Sequence, residues 1–115
     1  MASPDRYIDK ASALERLDGD EELFQEIVSI FLDDAPRIFL ALKQARTDKD
    51  QKTSERQAHS LKGASANVGA VHLQEISSRA EVAARTGNWG DLEILLPGME
   101  ESLHASIDAL RDCIG

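Results

Sequence analysis

His59, Lys62 and Gly63 stand at three- and four-residue spacing within "QAHSLKGASANVG", Gln57 through Gly69. On a helix of ~3.6 residues per turn each residue advances about 100°. Positions 59, 62, 63 and 66 therefore share one stripe, His59, Lys62, Gly63 and Ala66, while Ala58, Leu61, Ser65 and Val68 form a core-facing one. His59 and Leu61 lie about 200° apart, so burying Leu61 exposes His59. Imidazole titrates close to neutral pH, and the neutral ring is a nucleophile that forms covalent intermediates. Lys62 at i+3 can reach an anionic group such as a phosphoryl on that ring, acting as a mobile point charge. Gly63, one turn beyond His59, costs roughly 1 kcal/mol relative to alanine inside a helix. The missing side chain leaves clearance beside the ring for another protein's active site. Taken singly, each residue has a plain explanation: a surface histidine, a solvated lysine, a glycine for helix packing. Together they predict a nucleophile, a counter-charge and an open approach.

A stripe of this kind needs a stable helix and neighbours to hold it. "SALE", Ser12 to Glu15, fits a capping box that opens a short helix closed by Asp18-Gly19. Asp20 caps a long amphipathic run in which Leu23, Phe24, Ile27, Val28 and Phe31 recur on one face, continuing through Ile38, Leu42 and Ala45. Pro36 within that run predicts a kink or brief break. Asp50 caps the next helix, which runs to about Asn67 and ends on the Asn67/Gly69 pair. A fourth run spans Val71 to about Arg85, is broken by "TGN", and gives way to a last run from about Trp89 to Ile114. Pro97 and Gly98 predict bent or frayed first turns there. No segment alternates with a two-residue period, and no repeat occurs. The chain reads as one all-α domain over residues 1–115. Short joints predict an antiparallel up-and-down four-helix bundle with a short extra N-terminal helix.

Composition agrees and excludes alternatives. The 115 residues are 42% hydrophobic, 4% aromatic and 30% charged, which suits one helical core and not disorder. A net charge of −8 argues against nucleic acid, and no basic run marks a membrane surface. Cys113 is the only cysteine, so no internal disulfide forms and a reducing compartment is expected. With no apolar leader in "MASPDRYIDK" and no segment fit to span a bilayer, the expected location is cytoplasmic. His59, His72 and His104 are the only histidines. None has the i+3 or i+4 pairing of a helical metal site, so no metal is expected. His72, near a helix start, is expected in solvent, and His104 on the polar side of the last helix.

"AHSLKGASANVG" resembles the signature of the histidine-containing phosphotransfer (Hpt) domains of multistep two-component phosphorelays, roughly His-x-Leu-Lys-Gly-x-Ser/Ala-x-x-x-Gly. His59, Leu61, Lys62, Gly63, Ser65 and Gly69 match it. "ALERLDGDEELFQEIVSIFLDDAPR" resembles the family's opening helices and "LLPGMEESL" its last, so the likeness covers essentially the whole chain. It implies a four-helix bundle with the histidine exposed. By the same resemblance, His59 takes a phosphoryl group from a receiver-domain aspartate and passes it to another. Lys62 then steadies the phosphoryl oxygens, Gly63 leaves room for the partner, and Glu81 orients the imidazole. The implied partners are response-regulator receiver domains, those of a hybrid histidine kinase included. The receiver supplies the Mg²⁺, no cofactor is bound, and this chain is a monomeric phosphoryl carrier without kinase or phosphatase activity of its own. Ser54 and Gly98 depart from the family's usual residues.

The rim around His59 is expected to draw on Glu55, Ala58, Ser60, Ala66 and Asn67; of Phe31, Ile38 and Phe39 on the preceding helix most are expected in the core, with an exposed one supplying an apolar contact. Two other readings stay open. One is a structural or adaptor bundle that binds receivers without transfer; the other is a module phosphorylated directly by a histidine kinase.

Overall fold

Aspartates begin three of the helices. Each places a side-chain oxygen on a backbone N–H of the first turn, which has no partner within the helix. Asp9 accepts from Ser12 N at 3.1 Å, Asp20 from Leu23 N at 3.0 Å, and Asp50 from Thr53 N at 3.1 Å. Asn88 does the same for Asp91 N at 3.0 Å. In the computed structural model, which describes residues 7–114, the resulting helices are α1 (Lys10–Arg16), α2 (Glu21–Thr47), α3 (Gln51–Val68), α4 (Val71–Arg85) and α5 (Trp89–Ile114). Residues 1–6, where the sequence shows no apolar leader, and Gly115 lie outside the described residues. Among the described residues there is no strand.

One expectation about a helix limit is corrected and another is narrowed. The cap of α1 is Asp9 and not Ser12; Ser12 lies within the helix and donates both its N–H and, at 2.8 Å, its hydroxyl to the Asp9 carboxylate. A carboxylate that accepts two donors outcompetes a serine cap. Neither proline breaks its helix: Pro36 lies inside α2 and Pro97 inside α5. Buried neighbours hold both stretches, Ala35 and Phe39 in α2, Leu92 and Met99 in α5. Arg37 Nε adds a side-chain donor to the Asp33 carbonyl at 3.2 Å beside the proline gap.

The 27 residues of α2 span ~40 Å at 1.5 Å per residue, which equals the molecule's longest dimension of 40 Å. α2, and α5 with its 26 residues, therefore lie close to that axis. Contacts close a cycle: α2 packs on α3, α3 on α4, α4 on α5 and α5 on α2, while α1 leans on α2 and α3. The core comes from every long helix, with Phe24, Val28 and Leu42 of α2, Leu61 and Val68 of α3, Leu73 of α4, and Leu92, Met99 and Leu110 of α5 fully buried. Ser54 is buried among them, and among the described residues its hydroxyl has no hydrogen-bond partner. It fills an apolar position with a small side chain.

Gly69 fastens this frame at the end of α3. Its φ of 75° is left-handed, and Ala70 N closes back on Ser65 O at 2.9 Å, the glycine-dependent helix stop. A Cβ at Gly69 would run into the Asp9 carbonyl. Asp9 N donates to Gly69 O at 2.7 Å and Arg16 Nη2 to Ala66 O at 3.1 Å, so α1 is tied to the last turn of α3.

Candidate functional site

His59 lies mid-way along α3 with its side chain 66% exposed. The burial of Leu61, Ser65 and Val68 turns the opposite face of the helix outward. Its Nδ1 is 2.7 Å from Glu81 Oε2 on α4. The second carboxylate oxygen, Oε1, accepts from Lys62 Nζ at 2.5 Å. Glu81 is thus shared between the two residues that the spacing on α3 singles out. Its carboxyl is held below the usual glutamate range, first by the hydrogen bond from Lys62, against the opposing effect of burial, with His59 adding to the lowering. An ionised carboxylate only accepts, so Nδ1 of His59 is assigned as the N–H donor. In the neutral ring Nε2 then carries the free lone pair. The arrangement presents an exposed nucleophilic nitrogen whose tautomer is fixed from behind.

Lys62 differs from the expectation of a free, mobile charge: it is about two-thirds buried and engaged by Glu81. At Gly63 an added Cβ would meet nothing within 4 Å. Close packing inside this molecule therefore does not account for the glycine, and the space beside His59 is open. A shallow concavity of about 350 Å³ next to the ring is lined by Lys52, Glu55, Arg56, His59 and Glu81.

The rim residues divide. Ser60 and Asn67 are exposed, while Glu55 and Ala66 are half-buried. Ala58 is fully buried, which corrects its place on the rim: it shares the Leu61–Ser65 stripe and faces the core. Phe31 and Phe39 are likewise core residues. The apolar side chains that α2 does expose are Leu23, Ile30 and Leu40, and Ile38 is half-buried beside Asp34, Arg37 and Gln57. His72 is only half-exposed, less solvated than expected. Its Nδ1 lies 2.8 Å from Ser102 Oγ, with the Tyr7 ring edge-on at 5.5 Å. His104 is exposed. Among the described residues no group of three His, Cys, Asp or Glu side chains is placed to hold a metal ion, and no helix is long and apolar enough to cross a membrane.

The family model of the Hpt domain matches residues 26–113. The chain belongs to the Hpt domain family. Hpt domains serve histidine phosphotransfer in two-component signalling and interact with response-regulator receiver domains. The fold is similar to the crystal structure of histidine-containing phosphotransfer protein B from Pseudomonas aeruginosa PAO1, with 24% sequence identity, a TM-score of 0.82, and coverage of 93% of this chain and 94% of that one. At that identity the likeness is one of fold. No curated protein matches the sequence. In this Hpt domain the sequence signal for His59, Lys62 and Gly63 was local to α3. The bond from Lys62 to Glu81 was not foreseen. A signal for it exists: residues 59 and 81 lie at nearly equal distances from the Gly69-Ala70 joint, where two helices joined by a short turn come side by side.

Proposed function

We propose that the chain is a phosphorelay intermediate that takes a phosphoryl group from one receiver-domain aspartate and delivers it to another. The Nε2 lone pair of His59 attacks the phosphorus of the aspartyl phosphate. An N–P bond forms, the P–O bond to the aspartate breaks, and the carboxylate leaves with the electron pair. The Nδ1 proton stays on the ring, which becomes a phosphoimidazolium, and the Glu81 carboxylate at 2.7 Å offsets the new positive charge. Transfer onward is the reverse step with a second aspartate. Lys62, one turn from the ring, exchanges Glu81 for the phosphoryl oxygens as negative charge arrives. Mg²⁺ and most of the positioning come with the receiver, which docks over Gly63, Ser60, Ala66 and Asn67 with Glu55 at the edge.

The observation that carries this reading is the carboxylate behind an exposed imidazole, with an empty space where Gly63 lacks a side chain. The carrier is an antiparallel up-and-down bundle, a single monomeric cytoplasmic domain. Contacts between the start of α3 and the end of α4, Gln51 Nε2 to Arg85 O at 2.8 Å, and between the end of α2 and the start of α5, Arg46 to Glu93 at 2.6 Å, support that topology. Incubation with a phosphorylated receiver domain tests the reading. Wild type should acquire an acid-labile phosphoryl label and His59→Gln none; equal labelling of the two overturns it.

A further inference from the structure

The acidity of this chain is unevenly spread. Against a net charge of −8, α3 carries Lys52, Arg56 and Lys62 with one acid, Glu55, whereas α5 carries six acidic side chains against Arg111 alone. These two helices do not touch and lie across the cycle from each other. The molecule therefore has a basic face that bears His59 and an acidic back.

Among the described residues, two of the three cations on that face also lack an ion-pair partner. Lys10, Arg37, Lys43, Arg46, Lys62 and Arg79 are each paired with a carboxylate. Lys52 and Arg56 are exposed and, among the described residues, make no ion pair or hydrogen bond. They stand at i−7 and i−3 from His59, on successive turns of its stripe, and line the concavity beside the ring. The acids nearest them are largely engaged: Glu81 holds His59 and Lys62, and Asp50 holds the Thr53 N–H and hydroxyl. Glu55 alone shares the concavity without a partner.

Resting on the relay reading, we propose that Lys52 and Arg56 form a docking flank for the acidic rim of the receiver domain, capturing and orienting it before transfer. A donor aspartyl phosphate is itself anionic, and the divalent cation beside it is held by carboxylates. That surface must come within bonding distance of His59, so its edges fall over the adjoining turns of α3. An approach to the α5 face is repelled. Steering of this kind raises association rates by about 10- to 1000-fold and fades with salt.

The test is a matched pair, Arg56→Glu and Arg111→Glu, which add the same negative charge at different places. Each of the source organism's receiver domains is charged with acetyl phosphate and Mg²⁺, and transfer to His59 is timed by rapid quench. At about 50 mM salt Arg56→Glu should lower the second-order rate constant about tenfold, and Arg56→Gln by a smaller factor. The gap should narrow at about 0.5 M salt, where screening acts within ~4 Å. Arg111→Glu should stay within about twofold of wild type at both salt concentrations. Equal rates for the two glutamate variants, or a gap indifferent to salt, overturn the docking flank while leaving the relay intact. Failure of every receiver to label wild type overturns the relay reading itself.

Discussion

Two contacts in this molecule are built from the same parts and do different things. Across α3 and α4, His59 Nδ1 meets Glu81 at 2.7 Å, and Gly63 follows one turn later. Across α4 and α5, His72 Nδ1 meets Ser102 at 2.8 Å, and Gly98 precedes Ser102 by one turn. At the first contact the partner is an ionised carboxylate, which fixes the tautomer, and the glycine faces open space. At the second the partner is a hydroxyl, which donates or accepts and fixes nothing. The ring there is half-buried against Tyr7, and a Cβ at Gly98 would lie 2.9 Å from Ile76 Cδ1. A histidine and a glycine on a helix are thus ambiguous. The group behind the ring and the contents of the glycine's missing volume decide between chemistry and packing.

Leucine at each glycine should separate the two contacts most sharply. Gly63→Leu should keep or raise stability, by up to about 1 kcal/mol from helix propensity, and slow receiver transfer roughly 100-fold, as misplaced reactants do. Gly98→Leu should lose about 1–3 kcal/mol by overpacking against Ile76 while the folded fraction still transfers. Thermal unfolding and quench-flow on both variants read the two effects. Destabilisation at Gly63 with intact transfer would erase the distinction.

The sequence carried the helices well because their signals are local: Asp20, Asp50 and Gly69 each act on residues within one turn. It carried the reactive stripe for the same reason, since His59, Lys62 and Gly63 share one helix. The misses are all tertiary. A proline such as Pro36 or Pro97 reads as a kink, a brief break or a frayed turn, and the sequence alone does not show that α2 and α5 run on through it between buried side chains. Ala58 reads as rim or core depending on a rotation of a few tens of degrees, which only the packing of α2 and α4 against α3 settles. The family resemblance alone points to Glu81 beside His59, a neighbour 22 positions away, while its bond to Lys62 and the contact of His72 with a residue 30 positions away carry no local signal.

The carboxylate at position 81 provides the next largest test. Glu81→Ala removes the acceptor of Nδ1 and the partner of Lys62, and hydrogen bonds to charged groups are worth ~1.5–3 kcal/mol. Transfer should slow by about 10- to 100-fold. Glu81→Gln retains an acceptor for Nδ1 and should lose less. The pH dependence has a definite sign. Because Lys62 chiefly lowers the folded-state pKa of Glu81, the ionised group stabilises the fold above the ordinary glutamate range, and this is lost as pH falls through the lowered value. Wild type should therefore exceed Glu81→Gln in melting temperature most at neutral pH, and the gap should close on acidification. A gap that widens in acid would place the stabilisation elsewhere.

The contact at His72 should yield the smallest effect. Ser102→Ala deletes the hydroxyl that meets Nδ1. The ring is half-buried, so the bare nitrogen keeps partial access to water, and the loss should be about 1 kcal/mol. Transfer through His59 should be unaltered, because no residue of the His59–Glu81–Lys62 group touches Ser102 or His72 among the hydrogen bonds joining them. Denaturant unfolding and the transfer rate, measured together, check both halves. A slowed transfer at unchanged stability would mean that the α4–α5 contact positions Glu81 through α4, and the two contacts would then be one coupled device in place of a site and a prop.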